Sequence, residues 1–131
     1  MKEESNSFFA PQLHIKSGIT DISFYIQGLG ATELRRFSNP DGSVHVSELM
    51  LEGCLFHLHE ENRAKGNLEP LGCGGVTSLV GIFVADVDQF MDRAIQAGAI
   101  LLNPAVDYEY GYRQGEFLDP FGHHWLVEKK I

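Results

Sequence analysis

One order of elements occurs twice in this chain, and that repeat constrains the fold more than any other feature. Leu29-Gly30-Ala31 closes the first helix expected from the pattern, and Ala97-Gly98-Ala99 closes the second, 68 residues later. In the first half, Ala10 to Lys16 alternates as a strand and Ser17 can cap a helix. Ile19, Ile22, Ile26 and Leu29 share one face of that helix. Ala31 to Phe37 follows as a strand, and Asn39-Pro40-Asp41-Gly42 is a turn signal. Val44 to Leu51 and Cys54 to His59 are strands joined at Glu52-Gly53. Glu60 to Val76 is polar and glycine-rich, and reads as a linker. The order then restarts. Thr77 to Ala85 is a strand, and Asp86 with Gln89 forms a capping box. Val87, Phe90, Met91, Ala94 and Ile95 share a helical face. Ala99 to Leu102 is a short strand ended by Asn103-Pro104. The closing hairpin runs from Arg113 to Leu118 and from His123 to Glu128, bent at Asp119-Pro120-Phe121-Gly122.

A period this long is not a solenoid repeat. It points to an α+β domain made of two β-α-β-β-β modules, residues 10–59 and 77–128, joined by the linker 60–76. Each module covers one sheet face with its helix and leaves the other free, so two modules can enclose a cleft. The 131 residues suit one domain.

The formal net charge of −8 argues against a nucleic-acid partner. Arg35-Arg36 and Lys129-Lys130 are too small to form a footprint. An acidic surface can draw a cationic ligand, but solubility is the favoured explanation. The apolar runs are strand-sized, so no membrane span is expected. Met1 to Ser7 lacks the basic start and apolar stretch of a signal peptide, so a cytoplasmic protein is expected. Cys54, inside an apolar strand, and Cys73 fit no metal-ligand pattern and read as reduced structural thiols. A nucleophile elbow, a phosphate loop and a dinucleotide fingerprint are all missing.

Several stretches, in order, resemble the glyoxalase, bleomycin-resistance and extradiol-dioxygenase superfamily, the vicinal oxygen chelate proteins, and within it the small PhnB-like branch. They are Pro11-Gln-Leu-His-Ile-Lys, Phe24-Tyr25, Leu29-Gly-Ala31, Val84-Ala-Asp-Val-Asp88, Ala97-Gly-Ala99, Tyr110-Gly-Tyr-Arg-Gln-Gly115 and Asp119-Pro-Phe-Gly-His123. The resemblance implies two βαβββ modules curled around a cup, and a homodimer. It also implies that metal-dependent members hold one divalent ion with ligands from the first and last strand of each module. Carried over by spacing, those positions fall on Ala10, His57, Leu79 (or Val80) and Leu126. Only His57 can bind a metal, and such ions need three or four donors. The usual site is therefore expected to be lost, with no cofactor required.

A displaced site is the alternative. Side chains two apart along a strand share a face. His59 shares one with His57, His14 with Ala10, and His124 and Glu128 with Leu126. The first reading is a cup without metal that binds a small organic ligand through His14, His57, His59 and His124, with Arg113 in reach of an anionic group. The second is a metal-dependent lyase, isomerase or dioxygenase using His14, His57, His124 and Glu128. A purely structural dimer is a third. His45 has no evident partner, His123 is expected to cap local backbone or face solvent, and Trp125 is expected in the core.

Overall fold

The computed structural model describes residues 6–131. The start of the polar lead-in, Met1 to Ser5, lies outside them. Among the described residues, eight strands form two sheets of four, and each sheet repeats the same topology. The first contains β1 (Gln12–Ile15), β2 (Thr32–Ser38), β3 (Val44–Leu51) and β4 (Cys54–Glu60), in the order β1-β4-β3-β2. The second contains β5 (Val80–Phe83), β6 (Ile100–Tyr108), β7 (Tyr112–Leu118) and β8 (His124–Lys130), in the order β5-β8-β7-β6. In each, the first strand runs parallel to the last and the remaining pairs are antiparallel. The two-module α+β fold expected from the repeat is the observed one.

One core serves both sheets. Leu13, Ile15, Leu49, Phe56 and Leu58 of the first sheet share it with Ile82, Phe117, Trp125 and Val127 of the second. Phe56 and Trp125 meet edge to face at 6.1 Å, and Phe117 stacks on Trp125 at 5.8 Å. The sheets thus meet through their helix-covered sides. Because side chains alternate along a strand, residues one step away from these face outward on both sheets. That parity creates the functional surfaces.

The helices depart from the sequence pattern. The first module has only a π-helical turn, Phe24–Gly28, instead of a helix beginning near Ser17. Gly18 sits at φ +90°, the Ile19 carbonyl accepts from the Val44 amide at 2.8 Å, and Asp21 takes the Ser23 amide at 2.8 Å. These bonds, one local and one to β3, hold residues 18–22 out of a helix, yet Ile22 and Leu29 are buried as their spacing suggests. The second module's helix, α2 (Val87–Gln96), starts where expected, with Asp86 accepting from the Gln89 amide at 3.0 Å. Ile95 is exposed, however, and Val87, Phe90, Met91 and Ala94 carry the packing.

The linker is structured. A 3-10 turn, Arg63–Lys65, is capped by Asn62, and a one-turn helix, α1 (Pro70–Cys73), is capped by the buried Glu69. β6 continues past Asn103-Pro104 to Tyr108. The proline is absorbed by an irregularity in the β6–β7 register rather than ending the strand. Cys54 and Cys73 are free and exposed, so Cys54 is not a core thiol. No helix among the described residues is long and apolar enough to cross a membrane.

Candidate functional site

The outward face of the first sheet gathers three imidazoles. Gln12 and His14 come from β1, His57 and His59 from β4, and β1 pairs with β4 so that Gln12 lies opposite His57 and His14 opposite His59. The His14 and His59 rings are 5.6 Å apart, and those of His57 and His59 6.0 Å. The His59 Nε2 contacts Gln12 Oε1 at 2.5 Å. On β3, Glu48 lies opposite His57 with a carboxylate oxygen 3.9 Å from its Nε2, and Arg35 holds the other oxygen at 3.3 Å. Partial burial lowers the pKa of His14, assisted by His123. Burial likewise lowers that of His59, assisted by His14, His57 and His45. Both rings are therefore neutral near pH 7, each with one donor and one acceptor nitrogen.

A cavity of about 660 Å³ adjoins this face. It runs along the seam between β1 and the segment leading into β5, bounded by Ala10, Gln12, His14, Thr77, Leu79 and His123 among others. His123 closes one side, with its Nε2 donating to the His14 carbonyl at 2.7 Å. The expectation that it caps local backbone or faces solvent was wrong in range: its acceptor is 109 residues away. Only β-strand pairing distant in sequence brings these groups together.

The second sheet's outward face has a different character. Tyr112, Gln114, Glu116 and Leu118 of β7 lie opposite Lys130, Glu128, Leu126 and His124 of β8. Gly81 and Phe83 of β5 lie beside Leu126 and Glu128. His124 Nε2 is 3.3 Å from Glu116 Oε2. This buried nitrogen has no hydrogen-bond partner among the described residues. Glu128 is buried and takes one bond, from the Gln114 amide at 2.9 Å.

The expected ligand residues therefore separate. His14, His57 and His59 share one face, while His124 and Glu128 lie on the other sheet. Arg113 lies on neither. It sits on the helix side, where its guanidinium binds Asp88 of α2 through two nitrogens, at 2.8 and 3.0 Å, and Asp107 at 2.9 Å. Those carboxylates raise its pKa and occupy its donors, so its assignment to a ligand's anionic group is corrected. His45 has a partner after all, with its Nδ1 2.7 Å from Glu60 Oε1. Trp125 is in the core, as its parity indicated.

Of the four positions carried over for a divalent ion, only His57 offers a donor. Ala10 and Leu79 line the seam cavity, and Leu126 faces Gly81. Among the described residues, no three His, Cys, Asp or Glu side chains converge closely enough to hold a metal ion. The donor set of a single chain does not fit the ion.

Sequence reasoning missed the Tyr25 and Asp119 pair. Asp119 Oδ2 accepts from Tyr25 Oη and from Trp125 Nε1 at 3.0 Å. Its Oδ1 accepts from the Phe121 and His123 amides at 2.8 and 3.0 Å. The Asp-Pro turn signal was visible, but the partner 94 residues away was not.

Paired βαβββ modules with outward-facing cup surfaces define a known class of protein. The sequence profile of the Glyoxalase/Bleomycin resistance protein/Dioxygenase superfamily matches residues 21–127, and the chain belongs to that superfamily. An uncharacterized protein of Mycobacterium tuberculosis strain H37Rv is 33% identical over 125 residues, covering 93% of this chain and 74% of that protein. An uncharacterized protein of Mycobacterium bovis is 33% identical, covering 93% of this chain and 82% of its own length. Among solved structures, an Arabidopsis thaliana gene product is similar with a TM-score of 0.70 at 23% identity, covering 95% of this chain and 100% of that one. TioX from Micromonospora sp. ML1 gives 0.65 at 22%, with the same coverage. A mutant of the Listeria monocytogenes fosfomycin resistance protein FosX, complexed with Mn(II) and 1S,2S-dihydroxypropylphosphonic acid, gives 0.69 at 14%, covering 98% and 93%. At these identities the structural likeness shows the fold alone.

Proposed function

We propose that the protein binds a small, partly apolar organic molecule against the histidine face of its first sheet, without a divalent ion. The observation that carries this reading is the cluster of His14, His57 and His59, at ring spacings of 5.6 and 6.0 Å, with His14 lining the seam cavity. Neutral imidazoles offer both donors and acceptors, and apolar walls with a few convergent polar groups are the usual form of a ligand site. The two sheets turn their outward faces away from a shared core, so one chain closes a cup over neither face. A homodimer in which a second copy covers the face completes the reading.

The test is a thermal-shift screen of small organic compounds, followed by calorimetry on wild type and His57→Ala. Loss of one hydrogen bond should weaken a hit about fivefold or more, corresponding to about 1 kcal/mol, while the variant keeps its fold. A hit whose affinity is unchanged in His57→Ala would put the ligand elsewhere.

A metal-dependent lyase, isomerase or dioxygenase using His14, His57, His124 and Glu128 needs a second copy to bring the two faces together, since one chain keeps them apart. Elemental analysis of tag-free protein, before and after dialysis against mixed divalent metals, decides between the readings. Near-stoichiometric retained metal favours the metalloenzyme and sinks the metal-free cup.

A further inference from the structure

A polar cleft lies on the helix side of the molecule, away from both outward sheet faces, so a second copy covering those faces leaves it open. It forms where the π-helical turn of the first module meets the last turn of α2, and its volume is about 380 Å³. Phe24 and Ala97 give it apolar walls, and Gln27, Arg93 and Gln96 line it with polar side chains. No carboxylate lines it. Asp21, the acid next to it in sequence, accepts from the Ser23 amide at 2.8 Å.

Arg93 is the anomaly. The chain has five arginines and a net charge of −8. Four of the five hold carboxylates: Arg35 with Glu48, Arg36 with Glu33, Arg63 with Glu61, and Arg113 with Asp88 and Asp107. Arg93 pairs with none, although Glu52 and Asp86 border the neighbouring cleft on its other side. It does not serve the end of its own helix either, because the carbonyls of Arg93, Ala94 and Ile95 are taken by the amides of Ala97, Ala99 and Gly98. Its guanidinium is nevertheless held in place. It crosses from α2 to the first module and lies on Gly30, with Nη2 and Nη1 at 2.7 and 3.1 Å from where a Cβ would stand. Gly30 is at φ +87°, so no side chain competes for that position. The Gln27 and Gln96 side chains likewise have no hydrogen-bond partner among the described residues.

A guanidinium presents a fork of donors that fits two oxygens of one anion, and each glutamine adds an N–H. A carboxylate offers two oxygens, both taken by the fork, whereas a phosphate group keeps a third for the amides. We propose that this cleft binds a phosphate group, free or on a small ester, through the Arg93 fork and the amides of Gln27 and Gln96. The site is separate from the ligand face formed by His14, His57 and His59.

The probes are inorganic phosphate and glycerol phosphate, with acetate as the carboxylate control, each titrated at constant ionic strength into isotope-labelled protein and followed by NMR. Saturable shifts at the Gln27 and Gln96 side-chain amides are expected with both phosphates, and acetate should bind about fivefold more weakly or worse. Arg93→Gln should weaken phosphate about tenfold or more, since hydrogen bonds to charged groups are the strong ones. Arg93→Lys keeps the charge without the fork and should recover only part of the loss. Gln27→Ala should weaken phosphate about threefold. All three positions are exposed, so the variants should keep the fold. Tighter binding of the ester would support the site and assign it to an organic phosphate, and equal binding would support it as a site for free phosphate. No saturable shift, acetate binding as tightly as phosphate, or full phosphate affinity in Arg93→Gln would overturn the proposal. Shifts confined to the histidine face would overturn it too, by placing the anion on the first sheet.

Discussion

Asp119 is the residue on which the closing turn depends. It takes hydrogen bonds from the Tyr25 hydroxyl, the Trp125 indole and the amides of Phe121 and His123, and it is buried without a cation. Burial first, and then the charge of Asp119, raise the pKa of the Tyr25 phenol well above its ordinary value, so Tyr25 remains a donor. Asp119→Asn puts an amide NH₂ against two donors or two backbone amides, whichever way it turns. A loss of about 3 kcal/mol in urea unfolding is expected, against about 1 kcal/mol for Tyr25→Phe. Equal losses from the two would mean the turn amides contribute little. A second prediction at this scale concerns pH. The pKa values of His14 and His59 lie below the ordinary 6.5, chiefly through burial. Near and just below that value the unfolded chain binds more protons than the folded one, so stability is complete above it and falls as the pH is lowered. The Tm should drop between about pH 7.5 and about pH 5, and His59→Asn should reduce the drop. A Tm that rises on acidification would reverse the assignment.

At the scale of elements, the sharpest constraint is where the π-helical turn of the first module meets α2. A Cβ on Gly28 would lie 2.6 Å from the Cβ of Ala97. Neither methyl group can rotate away, so Gly28→Ala should cost about 1–3 kcal/mol, and adding Ala97→Gly should restore part of it. Chemical denaturation of the single and double variants checks this, and additive losses would show that the contact does not limit packing. The closing hairpin is held from below in a similar way. Gly122 sits at φ +92°, and a Cβ there would come to 2.8 Å from the Pro70 side chain. The structured linker is thereby packed against the turn of the second module. The glycine-rich composition of residues 60–76 suggested a loose connection because composition reports propensity and not tertiary contact. Asn62 and Glu69, which cap its two short helices, were the local signals of order.

For the whole molecule, both outward faces expose large apolar groups, among them Phe37 on the first sheet and Phe83, Ile100 and Val106 on the second. The second copy proposed above would cover them, and on that reading sedimentation equilibrium is expected to give twice the chain mass. A monomer at all concentrations would leave each face open and remove the closed cup from the proposed function.

The sequence by itself determined the module repeat, the turns at Asn39–Gly42 and Asp119–Gly122, and the parity of the strands. Each rests on local backbone chemistry and on the alternation of side chains. Parity put His57 with His59 on one face, and the family resemblance carried over by spacing placed the metal positions on Ala10, Leu79 and Leu126, which offer no donors, and Trp125 one step away in the core. The tertiary structure decided which of the outward residues meet. His14 joins His57 and His59 because β1 pairs in parallel with β4, whereas His124 and Glu128 belong to another sheet turned the other way. It drew Arg113 to Asp88 on α2 and His123 to the β1 backbone. These are choices among several oppositely charged or hydrogen-bonding partners, and the distance between them is set by how two sheets pack on one core, not by any spacing along the chain.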